Sequence, residues 1–72
     1  MTENDVRDMC QRARVKVIGV ECLGAIAVVR IETLKIDPKT ATTNLHNAGA
    51  GGVTWAWNQG HEVLWITERE SA

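Results

Sequence analysis

The residues best suited to metal binding or nucleophilic catalysis are two cysteines and two histidines, Cys10, Cys22, His46 and His61. Structural zinc sites usually take their ligands in pairs about two to five residues apart, which seat the ion on a short turn. Each neighbouring pair in this chain is more than ten residues apart, so we expect no metal and no cofactor. Folding could still bring a cysteine nucleophile to a histidine base, and a cysteine-dependent enzyme is therefore our third hypothesis.

Paired carboxylates for hydrolysis would have to come from Glu62, Glu68 and Glu70 near the end of the chain. General acid and base roles need a rigid pair, whereas we expect the ends near residues 1–3 and 68–72 to fray. Ser71 is the only serine and lies in the same tail. We therefore predict that the chain is not an enzyme.

A glycine-rich segment, HNAGAGG at residues 46–52, has the composition of a phosphate-binding loop. In nucleotide-binding folds such a loop follows a strand and opens a helix, so that the helix amides point at the phosphate. This segment instead follows a predicted helix and precedes a predicted strand. We interpret it as a mobile connector.

Cations in the first half of the chain indicate a nucleic-acid hypothesis. Arg12, Arg14 and Lys16 alternate, so on an extended strand they would project on one side, and Arg30 could lie beside them on the next strand. Exposed tryptophans could stack on the bases of a single strand. However, residues 40–67 contain no lysine or arginine, and the formal net charge is -1. Single-strand nucleic-acid binding is therefore the alternative hypothesis.

Trp55, Trp57 and Trp65 supply all of the bulky aromatic surface, because the chain has no Phe and no Tyr. Such side chains dominate cores and interfaces, where each buries about 150 to 250 Å². We expect one or two of them in the core and another on a surface that a partner or second subunit covers. With His61, the three tryptophans are the predicted partner-binding residues.

Two helices are predicted from capping residues and apolar spacing. The first covers residues 4–13 and is capped by Thr2 or Asn4. The second covers residues 38–48 and opens on Asp37-Pro38, a capping acid followed by a proline at the first helical position.

A β-hairpin is predicted to follow the first helix. β-Branched residues favour a strand over residues 14–21, and a second apolar run covers residues 25–36, with the turn near residues 22–24. Of the 22 residues from 15 to 36, 14 are apolar. A hairpin that dense is expected to be covered on much of both faces.

A second hairpin is predicted to follow the second helix. It pairs residues 53–57 with residues 61–67. A three-residue loop over 58–60, closed by a glycine bulge, pairs Trp57 with His61 and puts all three tryptophans on one face. A two-residue loop over 59–60 puts Trp65 on the face opposite the other two. We favour the three-residue loop.

The two halves of the chain, divided after Ile36, therefore share one pattern, helix then hairpin, although their residues do not repeat. We predict a single-domain α+β fold over residues 1–72, with one layer of four antiparallel strands, two helices on one face and the order α-β-β-α-β-β. A chain of this length buries only about 60% of its unfolded surface. A homodimer, formed through a strand edge or the tryptophan face, is expected to extend the core.

The expected cellular location and type of partner rest on the sequence signals that this chain does not show. The polar start, MTEND, is unlike a secretory signal, and the apolar run over residues 23–29 is far shorter than the about 20 residues that span a bilayer. Two free thiols fit a reducing cytoplasm. No motif indicates a family, so we expect a cytoplasmic, non-enzymatic interaction module that binds and occludes or regulates a larger protein partner. Small phage and plasmid inhibitors of host complexes are an analogy of size alone.

Overall fold

The structure, a computed structural model, describes residues 1–69. Its elements are α1 (Glu3–Arg12), β1 (Val15–Leu23), β2 (Ile26–Leu34), α2 (Pro38–Asn47), β3 (Ala50–Asn58) and β4 (His61–Glu68). The strands form one antiparallel sheet in the order β1-β2-β4-β3. The predicted fold class, with its order α-β-β-α-β-β, is confirmed.

Both helices begin at the caps that the sequence indicates. The side-chain oxygen of Thr2 accepts a hydrogen bond from the amide of Asp5 at 3.2 Å, and the Asp37 carboxylate accepts one from the amide of Thr40 at 3.1 Å. Each bond satisfies an amide that has no partner within the first turn of its helix. Neither helix of the described residues is long and apolar enough to cross a membrane.

The core lies between the two helices and one face of the sheet. Val6 and Cys10 of α1 and Leu45 of α2 are fully buried, as are Leu64 and Ile66 of β4. α1 packs on β1, α2 packs on β3, and the two helices contact each other. The other buried members of this cluster are Ala13, Val15, Ala27, Val29, Ile31, Ala41 and Ala50.

The turn of the first hairpin lies one to two residues later than predicted. Gly24 and Ala25 form a two-residue loop, and Gly24 has a φ of +66°, which suits the first position of a type II′ turn. β1 therefore extends to Leu23 instead of ending at residue 21. It begins after Arg14, which has a φ of +62° and turns the chain out of α1.

The preferred register of the second hairpin is wrong. The loop has two residues, Gln59 and Gly60, with φ values of +51° and +80°, and Asn58 pairs with His61. Positive φ at both loop residues is the mark of a type I′ turn, whose twist matches that of the strands. Trp65 consequently pairs with Thr54 and lies on the face opposite the other two tryptophans.

The expectation that both faces of the first hairpin are covered is also wrong. Both helices lie on the same side of the sheet, and on the described part of the chain nothing covers the other side. Ile18, Leu23 and Ile26 are 50%, 53% and 37% exposed. The high apolar content of this hairpin therefore leaves an uncovered apolar surface.

Both edge strands of the sheet are irregular. In β1 the pairing shifts around Val17, and Ile18 is an extra residue without a partner on β2. In β3 it shifts between Ala50 and Gly52. Such bulges bend an edge strand and interrupt the row of groups that another strand would pair with.

Candidate protein interface

The sheet surface turned away from the helices, called the open face below, includes three rows of residues that pair across all four strands. From β1 to β3, the rows are Leu23, Ile26, Thr67 and Gly52; then Glu21, Val28, Trp65 and Thr54; then Gly19, Arg30, Val63 and Ala56. Beyond the third row, Asn58, His61, Glu32 and Lys16 lie on the same side of the sheet,. The same register that buries Leu64 and Ile66 under the helices fixes these residues on the open face, because side chains alternate along a strand.

Trp65 lies in the middle row of the open face, between Val28 and Thr54. It is 41% exposed. Val63, two residues away on the same strand, is buried although no helix covers it. The centre of the open face is thus apolar and already partly shielded from water.

A cavity of about 730 Å³ opens on this surface. Three of the four predicted partner-binding residues, Trp57, Trp65 and His61, line it together with Arg30 and Val63. Trp57 is 73% exposed. The register puts it on the helix side of the sheet with Trp55, so it borders the cavity at the hairpin tip and does not belong to the open face,.

The fourth predicted residue, Trp55, lies away from this cavity. Its side chain is half-buried on the helix side of the sheet and packs against the core. The indole Nε1–H donates a hydrogen bond to the Thr42 hydroxyl of α2 at 2.7 Å. Trp55 therefore secures α2, and it is the one tryptophan that meets the expectation of a place in the core.

Two opposite charges lie within the apolar surface of the open face. The guanidinium of Arg30 lies over Gly19, so close that a Cβ built on Gly19 would be 2.7 Å from Nη2 of Arg30. Glu21 lies in the adjacent row. Neither Arg30 nor Glu21 makes an ion pair with another residue between 1 and 69, so both charges are available to a ligand.

The four residues of the nucleic-acid hypothesis are not brought together. Arg12 ends α1 and pairs with Asp8 at 3.1 Å, whereas Arg30 lies on the open face. Arg14 and Lys16 line a separate cleft of about 470 Å³ between α1 and β1.

Two cations that the sequence analysis did not select, Arg7 and Lys35, line the same cleft. Arg7 pairs with Glu3 at 2.8 Å, and Lys16 pairs with Glu32 at 3.7 Å. Lys35 comes close because its amide donates a hydrogen bond to the Arg14 carbonyl at 3.2 Å. We call this the basic cleft. No tryptophan lines it.

The candidate catalytic groups form no nucleophile–base pair, because no hydrogen bond joins Cys10 or Cys22 to either histidine among residues 1–69. Burial raises the pKa of the Cys10 thiol to about 11, against a smaller lowering by the charge of Arg7. Nδ1 of His46 donates to the carbonyl oxygen of Ala50 at 3.2 Å, and His61 lies on the open-face cavity. No cluster of three or more potential metal ligands occurs among residues 1–69. The predictions on Glu70 and Ser71 lie outside the described residues.

The glycine-rich segment runs from helix to strand, as predicted, but its interpretation as a connector over residues 46–52 is wrong, because the strand begins at Ala50 and not at residue 53. α2 ends at Asn47, Gly49 has a φ of +119°, and β3 begins at Ala50. Gly51 and Gly52 belong to the strand. A Cβ at Gly51 would come within 2.7 Å of the Arg69 Cα, so this glycine permits a close approach of two backbones.

Comparison with protein-family models, with curated proteins and with solved structures finds no match to this chain.

Proposed function

We propose that this chain is a non-enzymatic protein-interaction module that binds, and thereby occludes or regulates, a larger protein partner through its open face. The observation that supports this most strongly is Trp65, exposed in the middle of an apolar sheet surface. Leaving apolar surface in water forgoes about 25 cal/mol per Å² of stabilisation. Contiguous surfaces of this kind are typical of sites that another protein covers.

The chemistry of the open face favours a protein surface as its ligand. Its three complete rows contain one cation, Arg30, and one anion, Glu21, and beyond them Lys16 and Glu32 neutralise each other at 3.7 Å. Sites for nucleic acids carry an excess of cations, because they neutralise several phosphates at once. A protein surface with an apolar centre and one charge of each sign matches the open face better.

The two free cysteines support the non-enzymatic part of the proposal, and they also favour a cytoplasmic location, which we propose with it. A reactive cysteine needs a lowered pKa, because the thiolate is the nucleophile. Burial instead raises the pKa of Cys10 to about 11. Both thiols fit a reducing compartment, where they pack as small apolar groups.

Site-specific photo-crosslinking in the native cell tests the proposal. The crosslinker p-benzoylphenylalanine replaces Trp65 on the open face or, as a control, Lys39 on the exposed start of α2. We expect a discrete protein adduct larger than two copies of the chain from position 65 and none from position 39. Adducts of equal yield from both positions, or none from position 65, would contradict the proposal.

The basic cleft favours a second candidate, the binding of a single nucleic-acid strand. Arg14 and Lys35 make no ion pair with any described residue, so they can contact phosphates. Binding of a fluorescent oligonucleotide should then fall steeply with salt. The double variant Arg14→Ala, Lys35→Ala should weaken it, whereas Arg30→Ala should not. No binding at low salt would rule this candidate out.

A further inference from the structure

We propose that a second copy of this chain also occupies the open face, in a two-fold symmetric dimer in which Arg30 of each copy pairs with Glu21 of the other. This inference rests on the proposed function, because it requires the open face to be a protein interface. It adds one definite occupant, a geometry for it and a specific ion pair.

The register of the sheet supplies the geometry. Arg30 and Glu21 lie in adjacent rows on adjacent strands; such rows are about 7 Å apart and such strands about 4.8 Å apart. Consider a two-fold axis between two stacked sheets, perpendicular to the strands and midway between these two rows. It exchanges the rows and stacks each strand on its own copy. Arg30 then lies about 5 Å to the side of the second copy's Glu21 across the interface, within reach of a charge-assisted hydrogen bond.

The same axis gives Trp65 a place. It brings the indole over Val63 of the second copy and beside the second copy's Arg30, because these two residues pair in the adjacent row. Both line the cavity of about 730 Å³, which a tryptophan side chain would enter. A guanidinium beside an indole face adds a cation–π attraction.

The charge pattern of the open face is self-complementary. An interface between identical copies uses the same surface twice, so a residue i that contacts j requires j to contact i. Arg30 and Glu21 meet this requirement, because they carry opposite charges, have no ion-pair partner among residues 1–69 and lie in the two rows that the axis exchanges. The pairing also leaves no charge of the three complete rows without a partner, which an apolar interface would otherwise penalise. Lys16 and Glu32, beyond these rows, already pair with each other.

The area of the open face suits a stable dimer. Strands of eight or nine residues in a sheet of four span about 30 by 19 Å, or about 570 Å² in projection. Side-chain relief increases the accessible area, and about 800 Å² per partner is usual for stable interfaces. The edge strands are less suitable for a dimer, because the bulges in β1 and β3 interrupt the row of backbone N–H and C=O groups that a second sheet would pair with.

Charge reversal tests the ion pair, with the mass in solution followed by sedimentation velocity as the protein is diluted. We expect the unaltered protein to sediment as a dimer that dissociates on dilution. Arg30→Glu and Glu21→Arg each place like charges together at two symmetry-related contacts and should weaken the dimer about 100-fold. The double variant Arg30→Glu, Glu21→Arg restores opposite charges and should recover most of the affinity.

Two controls separate this result from misfolding and from a general charge effect. Lys39→Glu makes the same change in net charge as Arg30→Glu on an exposed position of α2, and it should leave the dimer unchanged. Circular dichroism checks that each variant keeps the fold.

A dimer whose affinity neither single reversal changes, or one that the double reversal fails to restore, would overturn this geometry. A protein that remains monomeric at the highest concentration measured would overturn the dimer itself. The proposed function would survive that last result if the crosslinker at position 65 still captures a larger protein. It would fail separately if that crosslinker captures nothing.

Discussion

Arg30 and Gly19 form the most specific single contact on the open face. Because Gly19 has no side chain, the guanidinium lies where a Cβ would be 2.7 Å from Nη2. The contact holds a long, exposed side chain against the strand and reduces the conformational entropy that it would lose on binding.

The variant Gly19→Ala tests this contact. The new methyl displaces only the end of a flexible side chain, so the free energy of unfolding of the monomer should change by less than about 1 kcal/mol. Dimer affinity should fall, since the guanidinium leaves its position. In an Arg30→Ala background the same change should have no further effect on affinity, as a double-mutant cycle measured by sedimentation would show. An equal loss in both backgrounds would contradict the role given to this contact.

Cys10 should make stability depend on pH in the alkaline range. Burial, opposed more weakly by the charge of Arg7, raises the pKa of its thiol from 9.0 to about 11, so the folded state keeps a proton that the unfolded chain releases. The contribution is complete below pH 9 and is lost as the pH rises to about 11. One pKa unit corresponds to about 1.4 kcal/mol, so we expect the free energy of unfolding to fall by about 2 to 3 kcal/mol over this window.

Urea unfolding at several pH values between 8 and 11 measures this loss. Cys10→Ala is the control, because it keeps every other group that titrates in the same range. Its curve should fall less steeply than that of the unaltered protein. Parallel curves for the two proteins would show that Cys10 does not titrate as its burial implies.

At the scale of elements, the loop of the second hairpin carries an unfavourable backbone conformation. Gln59 has a φ of +51°, a conformation that costs most residues free energy but that asparagine tolerates well. Asn-Gly is a preferred pair for this turn. We therefore expect Gln59→Asn to stabilise the protein by about 0.5 kcal/mol.

Thermal unfolding checks this expectation, with Gln59→Val as the opposite case. A β-branched side chain is poorly tolerated at positive φ, so the valine variant should melt at a lower temperature than the unaltered protein. If both variants melt at the same temperature, the loop does not adopt positive φ at residue 59.

The elements that the sequence predicted correctly are those with local signals. Asp37-Pro38 marks the start of α2 because capping involves only neighbouring residues,. The length of the second hairpin loop could not be predicted from local signals, because glutamine is not a residue type typical of positive φ. One residue of loop length then moved Trp65 to the other face.

The open face could not be predicted for a different reason. A dense run of apolar residues indicates that a strand is apolar on both faces, but it does not indicate whether the same chain covers both. Trp57, Trp65 and His61 were selected from the sequence and line one cavity. Arg30 was selected only for phosphate binding, and Gly19 and Glu21 were not selected, because their relation to Arg30 depends on strand pairing.

At the scale of the whole molecule, dimerisation should couple to stability. A dimer that forms only from folded chains stabilises them by mass action, so its melting temperature rises with protein concentration. We expect this rise for the unaltered protein and for Lys39→Glu, and a rise that begins only at about 100-fold higher concentration for Arg30→Glu. Scanning calorimetry or circular dichroism measures this rise over a hundredfold range of protein concentration. Such a range changes the stabilisation by dimer formation by about 2.7 kcal/mol. A melting temperature independent of concentration in all three proteins would contradict the dimer.

The second copy and the larger partner compete for the same open face. A chain whose open face is covered by a second copy cannot also present Trp65 to a larger partner. Only the monomer would then bind the larger partner. The apparent affinity for that partner would be lower than the affinity of the monomer, by the fraction of the chain that is in the dimer.

The order of the strands also bears on how the chain folds. β1 pairs with β2 and β3 pairs with β4, each across a two-residue turn, whereas only the pairing of β2 with β4 joins strands from different halves. The entropy cost of closing the long chain segment between β2 and β4 is therefore met in a single step, the pairing of these two strands. We expect each helix and hairpin to assemble locally and the two halves to meet last, along the line where Val29 faces Leu64. Both turns would then already be formed in the transition state, so substitutions in them would change mainly the rate of folding. Substitutions along that line, where contacts are completed last, would change mainly how fast the native state opens.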